Sequence, residues 1–366
     1  MTKLKYIKSE NLEDIARGAA FLGAGGGGYP LIGRLLAKQA IEEFGPPKVI
    51  QVDDLDDDAN IFSSAMLGAP SIMLEKAAGG DDIAYAVEIL EKRLGCRADA
   101  ILPMEMGGIN SMVPIVAAAR LGLPIIDADG MGRAFPELDM VTFTIGGISA
   151  TPMALTNEHL DSIIIETKTS KKAEQFARVV TTEMGAASCI SCYPMKGRQV
   201  KEYAVKETLS LAMGIGQSIQ QGREGMNPVD SLLAYLRSTP YYNQCKVLFD
   251  GKVTDLKREI SHGWSVGHCF LEAIEGDQPH MEIMFQNEYL VARQDGKIRA
   301  IVPDLICTVD RETGEPIPAE QIRYGQRIKV IGTSAAPIMR SPEALKIFGP
   351  RLFGIDADFT PIEELD

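Results

Sequence analysis

Three short stretches of this chain carry groups that could do chemistry. The first is Phe21-Leu-Gly-Ala-Gly-Gly-Gly-Gly-Tyr-Pro30, with four consecutive glycines, Gly25, Gly26, Gly27 and Gly28. Glycine is costly to order, so an ordered run points to close backbone approach to something. Pro30 suits the start of a helix. Free N–H groups ahead of a helix make a site for an anion or an oxyanion. The run also contains Gly23, Gly25 and Gly28 in the Gly-x-Gly-x-x-Gly spacing of dinucleotide sites. That spacing is informative only after a strand, and a helical pattern precedes it here. A tight helix–helix connection is the plain alternative.

The second stretch is Pro103-Met-Glu-Met-Gly-Gly-Ile-Asn110. Glu105 could act as a base or accept hydrogen bonds from a ligand's N–H groups. Asn110 could orient an amide or cap the helix that follows. The third is Asp127-Ala-Asp129-Gly-Met-Gly-Arg133. Carboxylates at i and i+2 project to one face of an extended strand. They could share a proton, activate water or hold a divalent metal. Arg133 could grip a substrate carboxylate bidentately, or brace the turn through an internal ion pair. Other candidates are thin. His159, His262, His268 and His280 lack metal-ligand spacing. Cys189-Ile-Ser-Cys192 reads as two small buried residues on opposite faces of a strand rather than a redox pair.

The elements that must position these groups follow from apolar periodicity. Helices are predicted over Asn11–Leu22, Leu31–Phe44, Ile83–Leu94, Ser111–Leu121, Lys171–Met184 and Thr208–Gln221, with another starting at Asn227-Pro228. Strands are predicted at Lys48–Val52, Ile61–Leu67, Ala98–Pro103, Pro124–Asp129, Met140–Ile145, Ser162–Glu166 and Ala187–Tyr193. Their alternation argues a layered α/β domain with at least partly parallel strands. Glu105 and the two aspartates then fall beyond strand ends, where open α/β sheets bind ligands. From Cys245 to Ile331 the pattern changes to short β-rich runs. Turn signals break it at Asp250-Gly251, Glu275-Gly-Asp277, Asp295-Gly296, Glu312-Thr-Gly314 and Tyr324-Gly325. The expected fold is a three-layer α/β domain over residues 1–240, a smaller all-β barrel-like domain over 241–340, and a tail, 341–366, packing back on the first domain.

Composition narrows the function classes. The 366 residues are 45% hydrophobic and 24% charged, as in a soluble globular protein. A net charge of −13 argues against nucleic acid and anionic membranes as partners. No apolar run is long enough to span a bilayer. Six cysteines without an export signal are expected to be reduced thiols in a cytoplasm.

Together these stretches resemble the S-methyl thiohydantoin desulfurase family, whose members often accompany hydantoinase/oxoprolinase proteins. The resemblance runs through Phe21–Tyr29, Glu105–Asn110 with Pro114, and Asp127-Ala-Asp129 with Gly132-Arg-Ala-Phe-Pro-Glu137. It continues through Tyr193–Gly197, Thr208–Ser210, Pro303-Asp304, Asp310–Pro316, Tyr324–Arg327 and Gly349–Gly354. It implies an α/β domain followed by a β-barrel-like one. The implied reaction is hydrolytic removal of sulfur from a methylthio-substituted imidazolone ring, giving a hydantoin. The expected mechanism places the backbone N–H groups of Gly25–Gly28 on a ring carbonyl or substrate carboxylate and Arg133 on a carboxylate tail. Asp127 or Asp129 takes the proton from water, and Glu105 bonds the ring N–H. No cofactor is expected. Two alternatives stay open: a non-catalytic partner subunit of a hydantoinase/oxoprolinase-type enzyme, and a metal-dependent cyclic amidohydrolase with Glu105, Asp127 and Asp129 as ligands. A small-molecule substrate and a homo-oligomeric state are expected.

Overall fold

The computed structural model describes residues 3–68, 79–225, 227–261, 264–275 and 279–365. His262 and the Gly276-Asp277 part of one turn signal lie outside the described residues. A seven-stranded sheet forms the centre of the amino-terminal half. Its strands are β1 (Val49–Ile50), β2 (Asn60–Gly68), β3 (Ala100–Pro103), β4 (Ile125–Ile126), β6 (Met153–Thr156), β7 (Ser162–Ile165) and β8 (Ala187–Lys196), in the order β1-β4-β3-β2-β8-β6-β7. The first four strands are parallel, and β8, β6 and β7 continue the sheet antiparallel. A separate two-stranded ribbon joins β5 (Ala128–Asp129) to β9 (Val205–Lys206).

Helices α1 (Leu12–Leu22) and α2 (Leu31–Phe44) bracket the glycine run. Helices α3 (Asp81–Leu94) and α4 (Val113–Leu121) pack on the sheet, and α5 is the single turn Thr142–Ile145. The second face is covered by α6 (Ser170–Glu183). Two cysteines of β8 mark the layers. Cys189 meets Asp82 of α3, and Cys192 feels Glu174 of α6, so the strand alternates between them. All six cysteines are free, and burial raises the Cys189 and Cys192 thiols, which leaves them as packing residues. Next come α7 (Gly197–Tyr203), α8 (Thr208–Gly225) and α9 (Pro228–Arg237).

In the carboxy-terminal half, β10 (Cys245–Ser261), β11 (Trp264–Ala273), β12 (His280–Gln286), β13 (Glu288–Gln294), β14 (Lys297–Ile301), β15 (Leu305–Asp310) and β16 (Arg327–Thr333) form a second sheet. It is wholly antiparallel, in the order β14-β13-β12-β11-β10-β16-β15. The sheet curls until β13 lies beside β15, giving a half-barrel. Its inner face holds Phe249, Val253, Leu271, Ile283, Phe285 and Val330. Alternate residues of β13 and β15, such as Leu290, Leu305 and Cys307, join the larger core of the α/β layers. The two halves therefore share apolar surface. The tail contributes α10 (Pro342–Phe348), whose Phe348 stacks on Phe135 of the first half, with ring centroids 4.9 Å apart. Among the described residues no helix is long and apolar enough to cross a membrane.

Two local expectations are corrected. Met140–Ile145, rich in β-branched residues, is not a strand. Thr142 sends both its N–H and its hydroxyl to the Gly130 carbonyl, and this tertiary anchor winds Thr142–Ile145 into a helical turn. Asp250-Gly251 is not a turn but lies inside the long strand β10. The bare Gly251 leaves room for the Phe249 ring, which a Cβ there would meet at 2.5 Å. Asp295-Gly296 does turn the chain, with φ of 49° and 82° at the two residues.

Candidate functional site

The glycine run and the two acidic loops meet in space, with the half-barrel on top of them. Ile109 N–H donates to the Gly27 carbonyl (2.9 Å), and Gly130 N–H donates to the Met104 carbonyl (3.0 Å). From the half-barrel, Tyr289 N–H donates to the Ala24 carbonyl (2.7 Å) and Ala319 N–H to that of Gly25 (2.8 Å). Side chains are excluded from this junction. A Cβ on Gly26 would sit 1.8 Å from Glu288 Oε1, and one on Gly27 would sit 2.8 Å from the Gly107 backbone. Gly25, Gly27 and Gly28 also take φ of 94°, 76° and 72°. The tight approach inferred from the glycines is therefore an approach of protein to protein. What the run closes on is the protein's own Glu288, whose carboxyl lies against Gly26 and is influenced by the Gly27 N–H.

Glu288 was not among the residues singled out from the sequence. It stands at the start of β13, directly after Asn287, whose φ of 57° makes the reversal from β12. The trace it leaves in the sequence is an acid heading an otherwise apolar strand, Glu288-Tyr-Leu-Val-Ala292.

Glu105, Asp129 and Glu288 thus come from three separate elements and are 5%, 0% and 2% exposed. Asn110 donates to Glu105 Oε1 (2.7 Å). Asp129 Oδ2 accepts from the N–H groups of Met106 (2.7 Å), Gly132 (2.8 Å) and Met131 (3.2 Å). One oxygen of each carboxyl, Glu105 Oε2, Asp129 Oδ1 and Glu288 Oε2, is buried without a hydrogen-bond partner. An unsatisfied buried oxygen costs about 1–3 kcal/mol, and the protein's own donors near two of these acids are the Thr208 hydroxyl, for Asp129, and the Phe135 backbone, for Glu105.

Burial raises all three acids. Glu105 is pushed up to about 8, against the pull of Asn110 and reinforced by the charges of Glu288 and Asp129. Asp129 reaches about 7 despite its three backbone donors. Glu288 reaches about 8, with the Arg133 charge as the main opposing influence. Acids in this range both give and take protons at neutral pH.

The remaining predicted residues divide. Asn110 is wholly engaged, exchanging hydrogen bonds with Met66 of β2 (2.7 and 3.1 Å) while it holds Glu105. It orients the acid rather than capping α4. Asp127 lies two residues from Asp129 but turns elsewhere. The chain breaks between β4 and β5 there, and the Asp127 carboxylate receives the N–H and hydroxyl of Ser210 at the amino end of α8, with Gln51 adding a third bond. The expected pair acting on one face is thus separated, each aspartate serving its own donors. Arg133 is fully buried and pairs with no carboxylate among the described residues. Its guanidinium donates to the main-chain carbonyls of Ala134, Pro303, Asp304 and Tyr289 at 3.0–3.2 Å. It stitches the third loop to the half-barrel, so its donors are spent inside the protein rather than presented to a substrate tail.

Among the described residues no three His, Cys, Asp or Glu side chains converge closely enough to hold an ion.

Comparison with known proteins agrees with this architecture. Residues 10–167 match the family model described as the S-Me-THD-like N-terminal domain, and residues 168–362 match the S-Me-THD-like C-terminal domain. The chain is also similar to the crystal structure of a structural-genomics target protein from Chromobacterium violaceum. The match has 24% identity and a TM-score of 0.82 and covers 98% of this chain and all of that one, a likeness of fold. No curated protein matches. The chain belongs to the S-Me-THD-like family.

Proposed function

We propose that this chain hydrolyses the carbon–sulfur bond of an S-alkylated thiohydantoin-like ring, releasing a thiol and leaving a hydantoin. The observation that carries the reading is the buried cluster Glu105–Asp129–Glu288, with one unsatisfied oxygen on each carboxyl. The family to which the chain belongs supports the substrate class.

The reaction needs one proton moved twice. Water adds to the ring carbon that bears sulfur, giving up a proton as it does so. The tetrahedral adduct collapses by breaking the carbon–sulfur bond, and the departing thiolate needs a proton. One proton of the water ends on the thiol. The other ends on the ring nitrogen as the hydroxyl adduct becomes the carbonyl. Glu105 fits both transfers, because Asn110 holds one of its carboxyl oxygens in place while the other is left without a partner. In this assignment burial, reinforced by Glu288 and Asp129, keeps the proton affinity of Glu105 near neutrality, and a ring N–H satisfies an orphan oxygen. Asp127 is left with holding α8 in register and Arg133 with holding the loop.

The test is thiol release from S-methyl thiohydantoins by the purified protein, followed with a thiol reagent. Glu105→Gln and Asp129→Asn should each lower turnover by about 10²–10⁴-fold, the usual share of a general acid–base group. Undiminished turnover in Glu105→Gln would remove that residue from the chemistry.

A further inference from the structure

The chain contains a single tryptophan, Trp264. It opens β11 and stays partly exposed. The Arg178 guanidinium of α6 lies over its ring, 3.7 Å from the centroid. Arg178 is itself held from the side of the site. Its Nε donates to the buried Glu174, and its Nη2 donates to the Pro136 carbonyl (2.9 Å), in the loop that follows Arg133. Its charge reaches Glu288. On the other side, Ser265 exchanges two hydrogen bonds with Asn287, at 2.9 and 2.8 Å. Trp264 and Glu288 therefore flank one bonded pair of residues. A partly exposed indole with a guanidinium over its ring is thus tied, through the Ser265–Asn287 pair, to the strand that Glu288 begins.

We propose that Trp264 is the wall on which the planar ring of the ligand stacks and that Arg178 is the positioning residue that holds the indole flat. The ligand class is a conjugated five-membered nitrogen ring, and the inference rests on the proposed reaction for that choice. Stacking on a rigid aromatic acts on binding and leaves proton transfer alone. A guanidinium that only clamped the β10–β11 hairpin to α6 would affect stability instead.

A lone tryptophan makes the test direct, because all indole emission comes from position 264. Wild-type protein is titrated with hydantoin and with an S-methyl thiohydantoin while its fluorescence is recorded, and KM and kcat for thiol release are measured in parallel. The expected result is a saturable change in emission, with a midpoint matching the KM of the S-methyl compound. Trp264→Ala should raise KM about tenfold with kcat within about twofold, and Trp264→Phe should recover part of the loss, as expected for an aromatic contact. Arg178→Lys keeps the charge but loses the plane, and it should raise KM while leaving kcat in place. Emission unchanged by either ring compound overturns the inference, whatever the turnover, and needs no variant to fold. A Trp264→Ala protein that is folded and loses kcat instead of KM overturns it as well. If emission responds but no thiol is released, the stacking inference stands and the desulfurisation reading falls.

Discussion

Acidic residues stand at both ends of the parallel strands β2 and β3, and the two ends behave in opposite ways. Ahead of β2, Asp57 and Asp58 are exposed and face cations. Asp57 pairs with Lys201 (2.7 Å) and Asp58 with Arg198 (2.6 Å). The Lys201 hydrogen bond holds the Asp57 carboxyl below its usual range. Beyond β3, Glu105 lies buried with Asp129 and Glu288, and all three are raised. Their neighbouring cation, Arg133, has its donors committed to main-chain carbonyls. Side-chain type is the same at both ends. What differs is whether water and a free cation can reach the carboxylate, and that decides whether it is a solvated surface charge or a group that holds a proton at neutral pH.

The largest expected effect separates the two ends by substitution. Glu288→Gln should reduce thiol release by about 10²-fold or more, at the low end for an acid–base group. Asp58→Asn should stay within about twofold and change stability by less than ~0.5 kcal/mol, as surface pairs usually do. Equal effects at the two positions would erase the distinction.

How far this contrast could be read in advance depends on the kind of contact involved. The glycine run and Glu105 sit in loops beyond periodic apolar segments and Asp129 in the short strand that follows β4, so their meeting follows in part from local pattern. The half-barrel was legible through turn chemistry at Asp295-Gly296 and Tyr324-Gly325. Glu288 was not, because it is brought in by tertiary packing from the other half of the chain. The fate of Arg133 was not either, since main-chain carbonyl partners leave no mark in a sequence. Asp127 and Asp129 looked equivalent at i and i+2. Only the break between β4 and β5, and the arrival of α8 at Ser210, sets them apart.

A second, smaller effect concerns the junction that buries the acids. Gly26→Ala drives a methyl group into Glu288, and overpacking of this kind costs about 1–3 kcal/mol. Chemical denaturation should show the loss in the midpoint. A midpoint equal to wild type would mean that the glycine run and Glu288 are not in contact.

The third effect is read as a slope, in the pH dependence of stability. The three acids titrate near 3.8 and 4.5 when unfolded and near 7 to 8 when folded, so the native state binds more protons in between. Their stabilising contribution is complete at low pH and is lost as pH rises through the folded values. The melting temperature should fall from pH 5 to pH 8.5, on a slope that Glu105→Gln makes shallower. Exposed Asp57, lowered rather than raised, has the opposite sign, and Asp57→Asn should not flatten that slope.

The central claim, that the cluster keeps a proton at neutral pH, is open to direct observation. An infrared difference spectrum of wild type minus Glu105→Gln at pH 7 should contain the C=O stretch of a protonated carboxyl, and that band should disappear as pH is raised past 9. A spectrum showing only ionised carboxylate at pH 7 would contradict it.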